Sequence, residues 1–214
     1  MKNQNDSAKR RRPHADEYHI HLLLPIHAAM GRGVFDGIVD YAGHRLEWHC
    51  GVIPNPHSTD VPTIGPPAAD AALGVIRDHL AAGWDSEQRR CIVNTSRGYN
   101  DEEIANVTCD DLNIGRMAAE HLLGKNLQAF AYCGGASGRE TGFAERIRAA
   151  RRPYDCLLPK EHPEKNLESW LETLPPRTGI MAFNDDMAAL VLWAADRIGR
   201  AVPENLAVVG VDAD

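Results

Sequence analysis

Polar side chains that could hold a hydroxylated small molecule follow several short apolar runs of this 214-residue sequence. They are Asn94, Arg139, Asn184, Asp185 and Asp212. Carboxylates and amides can bind neighbouring hydroxyl groups in pairs, and an arginine guanidinium presents a planar fork of donors. Together these residue types predict a polyhydroxylated ligand.

Each of these residues also has a purely structural interpretation. Asp185 could be only the N-cap of a helix that begins near Met187, Asn184 could be a turn residue, and Arg139 could be a surface side chain. Taken singly, the structural interpretations are favoured. It is the shared position after an apolar run that favours a ligand.

The elements that would position these residues alternate along the chain. Amphipathic helical stripes, such as Ile114, Met117, Ala118, His121 and Leu122, separate short apolar runs that are typical of buried strands. This alternation predicts an α/β fold with parallel sheets covered on both faces, in which ligands bind at the carboxyl ends of the strands. The predicted strands are residues 20–24, 46–50, 71–76, 91–93, 129–133, 154–158, 179–183 and 207–211.

Composition narrows the possible classes of protein. Hydrophobic residues make up 43% of the chain, and no apolar run is long enough to cross a bilayer. The formal net charge of -7 argues against nucleic-acid binding by this segment as a whole. An odd number of scattered cysteines, five in all, predicts buried free thiols in a reducing, cytoplasmic compartment.

The amino-terminal residues are polar and carry a basic run over residues 9–12. They lack the apolar segment of a secretory signal. We predict a disordered basic leader over residues 1–17, with a nucleic-acid arm or a localisation tag as the alternative. The Pro- and Ser-containing stretch 55–67 is predicted to be a loop.

Enzyme chemistry has little support in the sequence. The phosphate-binding loop of NTPases, the dinucleotide fingerprint and the nucleophile elbow of α/β hydrolases are all missing. The ten histidines show no metal-ligand spacing. We therefore predict a protein that is not an enzyme and needs neither a cofactor nor a metal.

Motifs in the second half of the chain resemble those of the lactose-repressor family. They occur in the order found in that family, and the likeness runs from about Tyr18 to the last residue. The segments are 107–123 (VTCDDLNIGRMAAEHLL), 139–143 (RETGF), 180–189 (IMAFNDDMAA) and 202–212 (VPENLAVVGVD).

This resemblance implies a periplasmic-binding-protein-like type I fold with two lobes. Each lobe would be a doubly wound parallel sheet, with an amino-terminal lobe over residues 18–110, expected to be incomplete, and a carboxyl-terminal lobe over residues 111–214. A sugar would close the cleft between the lobes.

The resemblance also implies roles for individual residues. Arg139, Asn184 and Asp212 match positions that contact sugar hydroxyls, and Asn94 matches a strand-end position that faces the cleft. Asp110 matches an aspartate near the crossover between lobes, where a hinge role and ligand contact are both open.

Two further positions follow from the same likeness. Asp185 is expected to cap its helix first and contact sugar second. Arg32 is expected just before the first helix, within a segment, 20–42, similar to pentose-responsive members of the family. Segment 25–32 departs from the family because it lacks the aromatic residues that stack on sugar in many relatives.

The implied function is that of a sugar-sensing domain from a cytoplasmic transcription regulator. The expected effector is a pentose, D-xylose first, and the expected assembly is a homodimer without membrane contact. Operator DNA would be bound through an arabinose-regulator-type module that is absent from this chain. The alternatives are a solute-binding protein of a sugar transporter and a small α/β sugar-modifying enzyme.

Overall fold

The computed structural model describes residues 17–43, 45, 47–54, 68–97, 99, 101–158 and 166–213. The predicted leader, apart from Glu17, and the predicted loop over residues 55–67 lie outside these ranges. The chain divides into two compact units between Thr108 and Cys109. Each unit contains one parallel sheet.

The first unit has the strand order β2-β1-β3-β4-β5, so the chain reverses direction across the sheet between β1 and β3. Such a reversal leaves a crevice at the carboxyl ends of the two central strands. The strands are β1 (Tyr18–Leu23), β2 (Trp48–Ile53), β3 (Ala71–Gly74), β4 (Ile92–Asn94) and β5 (Ala105–Asn106). The helices are α1 (Ala29–Ala42), α2 (Asp78–Ala81) and α3 (Ser86–Arg89).

The carboxyl end of β1 is buried on both faces, which explains its apolar residues Leu22 and Leu23, whereas Tyr18 and His19 at its start are exposed. Ile20 and Leu22 pack on the side of α1, against Val34 and Phe35 among others. Leu23 lies on the opposite face, in a cluster that includes residues of α2. Successive strand side chains point to opposite faces, so a strand covered on both sides needs apolar residues throughout.

The second unit repeats the arrangement with the strand order β7-β6-β8-β9. Its strands are β6 (Ala129–Cys133), β7 (Tyr154–Leu157), β8 (Thr178–Ala182) and β9 (Leu206–Val209). Its helices are α4 (Asp111–Leu123), α5 (Gly138–Ala149), α6 (Leu167–Thr173) and α7 (Asp185–Arg197).

Strand β6 divides the core of the second unit into two layers. Phe130 and Tyr132 contact the layer formed by α4 and α5, whereas Ala131 and Cys133 contact the layer formed by α6 and α7. All five residues of β6 are buried. Burial raises the pKa of the Cys133 thiol to about 12, so this thiol is an inert core group.

Helices α4 and α5 approach each other closely through glycines. A Cβ at Gly142 would lie 2.0 Å from the carbonyl oxygen of Leu112, and one at Gly115 would lie 2.1 Å from that of Arg139. Because of this close approach, one residue of the apolar stripe predicted for α4 is not buried: Met117 is 61% exposed, whereas Ala118 is buried. Small residues replace large ones on the inner face because the helix backbones almost touch.

The α/β fold class predicted from the sequence is confirmed. The buried-thiol prediction is wrong for the other four cysteines, which are exposed. Cys50 and Cys156 lie on the edge strands β2 and β7, in runs of consecutive exposed residues. Among the described residues, no helix is long and apolar enough to cross a membrane.

His21 on β1 should make the stability of the first unit pH-dependent. The His19 and His49 rings stack at 5.3 Å. His21 has a buried Nδ1 with no hydrogen-bond partner among the described residues. Burial, with a smaller contribution from His19, holds the pKa of His21 below its ordinary 6.5. Below about pH 6.5 the unfolded chain therefore binds a proton more readily than the folded chain.

We expect the free energy of unfolding to fall as the pH drops below about 6.5, and to fall less steeply in His21→Leu. Urea titrations at a series of pH values would measure this. The matched control is His121→Leu, which removes an exposed histidine of α4 in the second unit. Parallel pH curves for the wild type and His21→Leu would contradict the prediction.

Candidate functional site

Arg139 is the centre of the candidate site in the second unit. It lies in the first turn of α5, directly after the glycine-rich turn that follows β6, and it is only 6% exposed. Its Nε donates to Asp111 Oδ1 at 2.9 Å, its Nη1 to the Phe183 carbonyl at 2.5 Å and its Nη2 to Asp212 Oδ1 at 3.2 Å. One buried guanidinium thus joins the beginnings of α4 and α5 to the segments that follow β8 and β9.

Sequence reasoning missed Asp111. This residue is the first of α4 and is 6% exposed, directly after the exposed cap Asp110. The signal was its spacing, because Asp111 shares a buried face of α4 with Gly115, Ala118 and Leu122. A carboxylate on a face otherwise made of small and apolar residues needs a buried cation, and Arg139 is that cation.

The pairing of Arg139 with Asp212 brings together two residues that the sequence predicted to share a site. Asp212 follows β9, and its side chain is 26% exposed. Its backbone φ is +102°, a conformation that is costly for a residue with a side chain. Such conformations persist where surrounding contacts hold them, and they concentrate at functional sites.

Phe183 was not among the predicted site residues, yet it contacts Arg139 twice. Its carbonyl accepts the hydrogen bond from Nη1, and its ring lies 5.0 Å from the guanidinium carbon. It can take this position because Gly134, with φ +145°, has no side chain. A Cβ there would lie 2.3 Å from the Phe183 Cβ. The sequence signal was an aromatic residue directly before Asn184.

A hydrogen bond from Tyr132 fixes the glycine-rich turn that precedes Arg139. The buried Tyr132 hydroxyl donates to the Gly135 carbonyl at 2.9 Å. Burial raises the pKa of Tyr132, so its proton remains available for this bond. The core strand β6 therefore fixes the backbone that presents Arg139.

Asn184, rather than Asp185, caps α7, which corrects the predicted order. Asn184 has extended backbone angles, and its side chain accepts a hydrogen bond from Met187 N at 3.0 Å. The helix begins at Asp185, two residues earlier than predicted, because β8 ends at Ala182 and leaves Asn184 at the turn. Asp185 donates its backbone N–H to the Val211 carbonyl at 3.0 Å, next to Asp212.

Asn94, in the first unit, is fully buried at the carboxyl end of β4. Its Oδ1 accepts hydrogen bonds from Ile76 N at 3.1 Å and Ser96 N at 3.0 Å, and its Nδ2 donates to Ser96 O and Asn106 Oδ1, each at 2.8 Å. Asn94 thereby shapes the segments after β3 and β4. A small depression of about 100 Å³ lies there, lined by Ile76, Arg77, Asp78, Ser96, Arg97 and Tyr99.

The remaining predicted residues are Asp110, which precedes α4, and Arg32, which lies in the first turn of α1. Asp110 caps α4 through a hydrogen bond from Asn113 N at 3.0 Å. Arg32 lies inside α1, not before it, because the helix begins at Ala29. Its side chain is exposed, and its Nη1 donates to the His27 carbonyl at 2.8 Å.

The arrangement around Arg139 suits a neutral, hydroxyl-rich ligand. One guanidinium, two carboxylates and an aromatic ring lie together beside the start of α7. The guanidinium can donate to hydroxyl or ring oxygens, and the partly exposed Asp212 carboxylate can accept from hydroxyl groups. Bonds already made within the protein fix the direction of these groups before a ligand arrives.

Known proteins resemble this chain in both sequence and fold. Residues 119–214 match the family described as a periplasmic binding protein-like domain. The xylose operon regulatory protein of Escherichia coli K12 is 31% identical over 121 residues, and the ribose operon repressor of Halalkalibacterium halodurans is 31% identical over 123 residues. These matches cover 50% and 53% of this chain, but only 31% and 37% of the relatives.

Solved structures extend the likeness to nearly the whole chain. A xylose-binding transcription activator aligns with a TM-score of 0.71 at 24% identity, covering 94% of this chain and 55% of that one. A LacI family regulator from an Arthrobacter species, in complex with lactose, aligns with a TM-score of 0.72 at 22% identity, covering 91% and 76%. The predicted fold and the predicted resemblance to lactose-repressor-type sensor domains are confirmed.

Proposed function

We propose that this chain is the sugar-binding effector domain of a transcriptional regulator, because residues 119–214 match the family described as a periplasmic binding protein-like domain. Its regulator would control a sugar-catabolic operon, act in the cytoplasm and bind operator DNA through a module outside this chain. The observation that carries the proposal is the buried network around Arg139. The relatives' names favour a regulator over a transporter component or an enzyme.

The proposed effector is a pentose, with D-xylose first. The support is the sequence match to a xylose operon regulatory protein, together with a ribose operon repressor at the same identity. In the proposed complex Arg139 and Asp212 bind sugar hydroxyls directly, and Asn184 adds an amide beside them. Asp185 supports the Asp212 segment through its bond to Val211.

Residues outside this network have proposed supporting roles. Asn94 would hold the strand ends of the first unit in the form that meets the sugar, and Arg32 would contribute from the same unit. Asp110 would act at the connection between the units, where it caps α4. Sugar bound to both units would favour one arrangement of them, and that population shift would reach the DNA-binding modules of a homodimer.

Calorimetric titration of the 214-residue chain with a panel of pentoses and hexoses tests this function. We expect saturable binding of at least one pentose, with heat that scales with protein concentration. Absence of binding across the whole panel by correctly folded protein would overturn the proposal.

Asp212→Ala should weaken pentose binding by about 2 kcal/mol, or on the order of thirtyfold. The substitution removes a carboxylate that binds the buried Arg139, so it also frees a guanidinium donor from its fixed direction. Asp196→Ala, an exposed position of α7, is the matched control. Unchanged affinity in Asp212→Ala would remove Asp212 from the site.

A further inference from the structure

We propose that the site around Arg139 selects its ligand by charge, and that Asp111 is the residue responsible. Asp111 would make the site accept neutral or cationic sugars and reject anionic ones. The inference rests on the proposed sugar-binding function, and it adds a residue whose role is to position and neutralise the arginine. Asp111 itself would act through Arg139 without touching the sugar.

The charges around the guanidinium carry the argument. Arg139 is buried and donates to two carboxylates at once, Asp111 at 2.9 Å and Asp212 at 3.2 Å. One positive charge therefore faces two negative charges, and the cluster is net negative. Asp185 begins α7, and its backbone N–H bonds to the carbonyl of Val211, the residue before Asp212.

A buried arginine without Asp111 would have the opposite effect on ligand choice. With Asp212 as its only carboxylate partner, the guanidinium would form a pair of about zero net charge, and its free Nε–H edge could help to bind a sugar carboxylate or phosphate in bidentate form. Asp111 prevents this because it occupies Nε, one edge of the guanidinium fork, and cancels its charge. Charges interact strongly at this depth because little water screens them.

The exposure of the two carboxylates separates their roles. The Asp111 side chain is 7% exposed, whereas that of Asp212 is 26% exposed. Gly138 allows Asp111 to come this close, since a Cβ on Gly138 would lie 2.9 Å from the Asp111 Cβ. Asp212 can therefore contact a ligand directly. Asp111 affects ligand binding only through Arg139 and through the electrostatic field of its own carboxylate.

The experiment compares sugars that differ in charge at nearly equal shape. D-Xylose is compared with protonated 2-amino-2-deoxy-D-xylose, and D-glucose with D-glucuronate, which carries a carboxylate in place of the hydroxymethyl group. We expect the wild type to bind the amino sugar at least as tightly as D-xylose, and to bind D-glucuronate on the order of tenfold more weakly than D-glucose, or not at all.

Asp111→Asn should change these ratios rather than all affinities together. The amide retains an acceptor for the Arg139 Nε–H, but it removes the charge. We expect the amino sugar to lose on the order of tenfold relative to D-xylose, and the anionic sugar to gain relative to its neutral counterpart. Asp101→Asn is the matched control, because Asp101 pairs with Arg89 at 2.7 Å in the first unit.

The outcomes separate this inference from the proposed function. If no sugar binds the wild type, the proposed function fails. If D-xylose binds but the wild type does not discriminate by charge, or if Asp111→Asn lowers every affinity by one common factor, charge selection by Asp111 is wrong. If Asp111→Asn does not fold, the wild-type ratios alone decide whether the site selects by charge.

Discussion

Replacing Arg139 by methionine should abolish sugar binding and destabilise the second unit by about 3 to 5 kcal/mol. The substitution keeps much of the apolar stem but removes the cation that holds a buried carboxylate. Asp111 would then remain charged with 7% of its side chain exposed, or would take up a proton. The cost comes from the uncompensated charge more than from the loss of the bond itself.

Arg116→Met is the matched control for this experiment. Arg116 lies on α4 and pairs with Glu145 at 3.2 Å, but both side chains are about half exposed. Such surface pairs contribute about 1 kcal/mol or less. Chemical unfolding and calorimetric titration of both variants would measure the difference, and equal losses in the two variants would contradict a central role for Arg139.

The strands of the second unit were the features most readily predicted from sequence. β6 has the bounds predicted for it, because an apolar run buried on both faces ends sharply at glycines. The edge strands were harder: the predicted strand over residues 46–50 is Trp48–Ile53 in the structure. β2 lies at the edge of its sheet and none of its residues is fully buried, so no buried apolar run marks its boundaries in the sequence.

The candidate site was predictable only in part, for a physical reason. Arg139 and Asp212 could be found because strand ends of a parallel sheet meet at one edge. Helical spacing places Asp111 on the buried face of α4, but its pairing with Arg139 depends on the approach of α4 to α5, and the position of Phe183 depends on its packing against Gly134. Those contacts join residues far apart in the chain, and helical or strand periodicity does not report them.

Two glycine-to-alanine substitutions, one at a close helix contact and one in open space, should have opposite effects on stability. Gly142→Ala should destabilise the second unit by about 3 kcal/mol, although alanine is the better helix former. Its new Cβ would lie 2.0 Å from the Leu112 carbonyl oxygen and 2.9 Å from the carbonyl carbon. These are backbone atoms of α4 and cannot rotate away, so the two helices would have to separate.

Gly33→Ala, in the interior of α1, is the matched control. A Cβ at Gly33 would meet nothing within 4 Å, so only the helix propensity changes, and we expect a gain of about 0.5 to 1 kcal/mol. Gly142→Ala should also weaken sugar binding, because Asp111 and Arg139 lie on the two helices that it separates. Chemical unfolding with calorimetric titration tests both effects. A stabilised Gly142→Ala that binds sugar normally would show that the close approach of α4 and α5 is not what holds Arg139 in place.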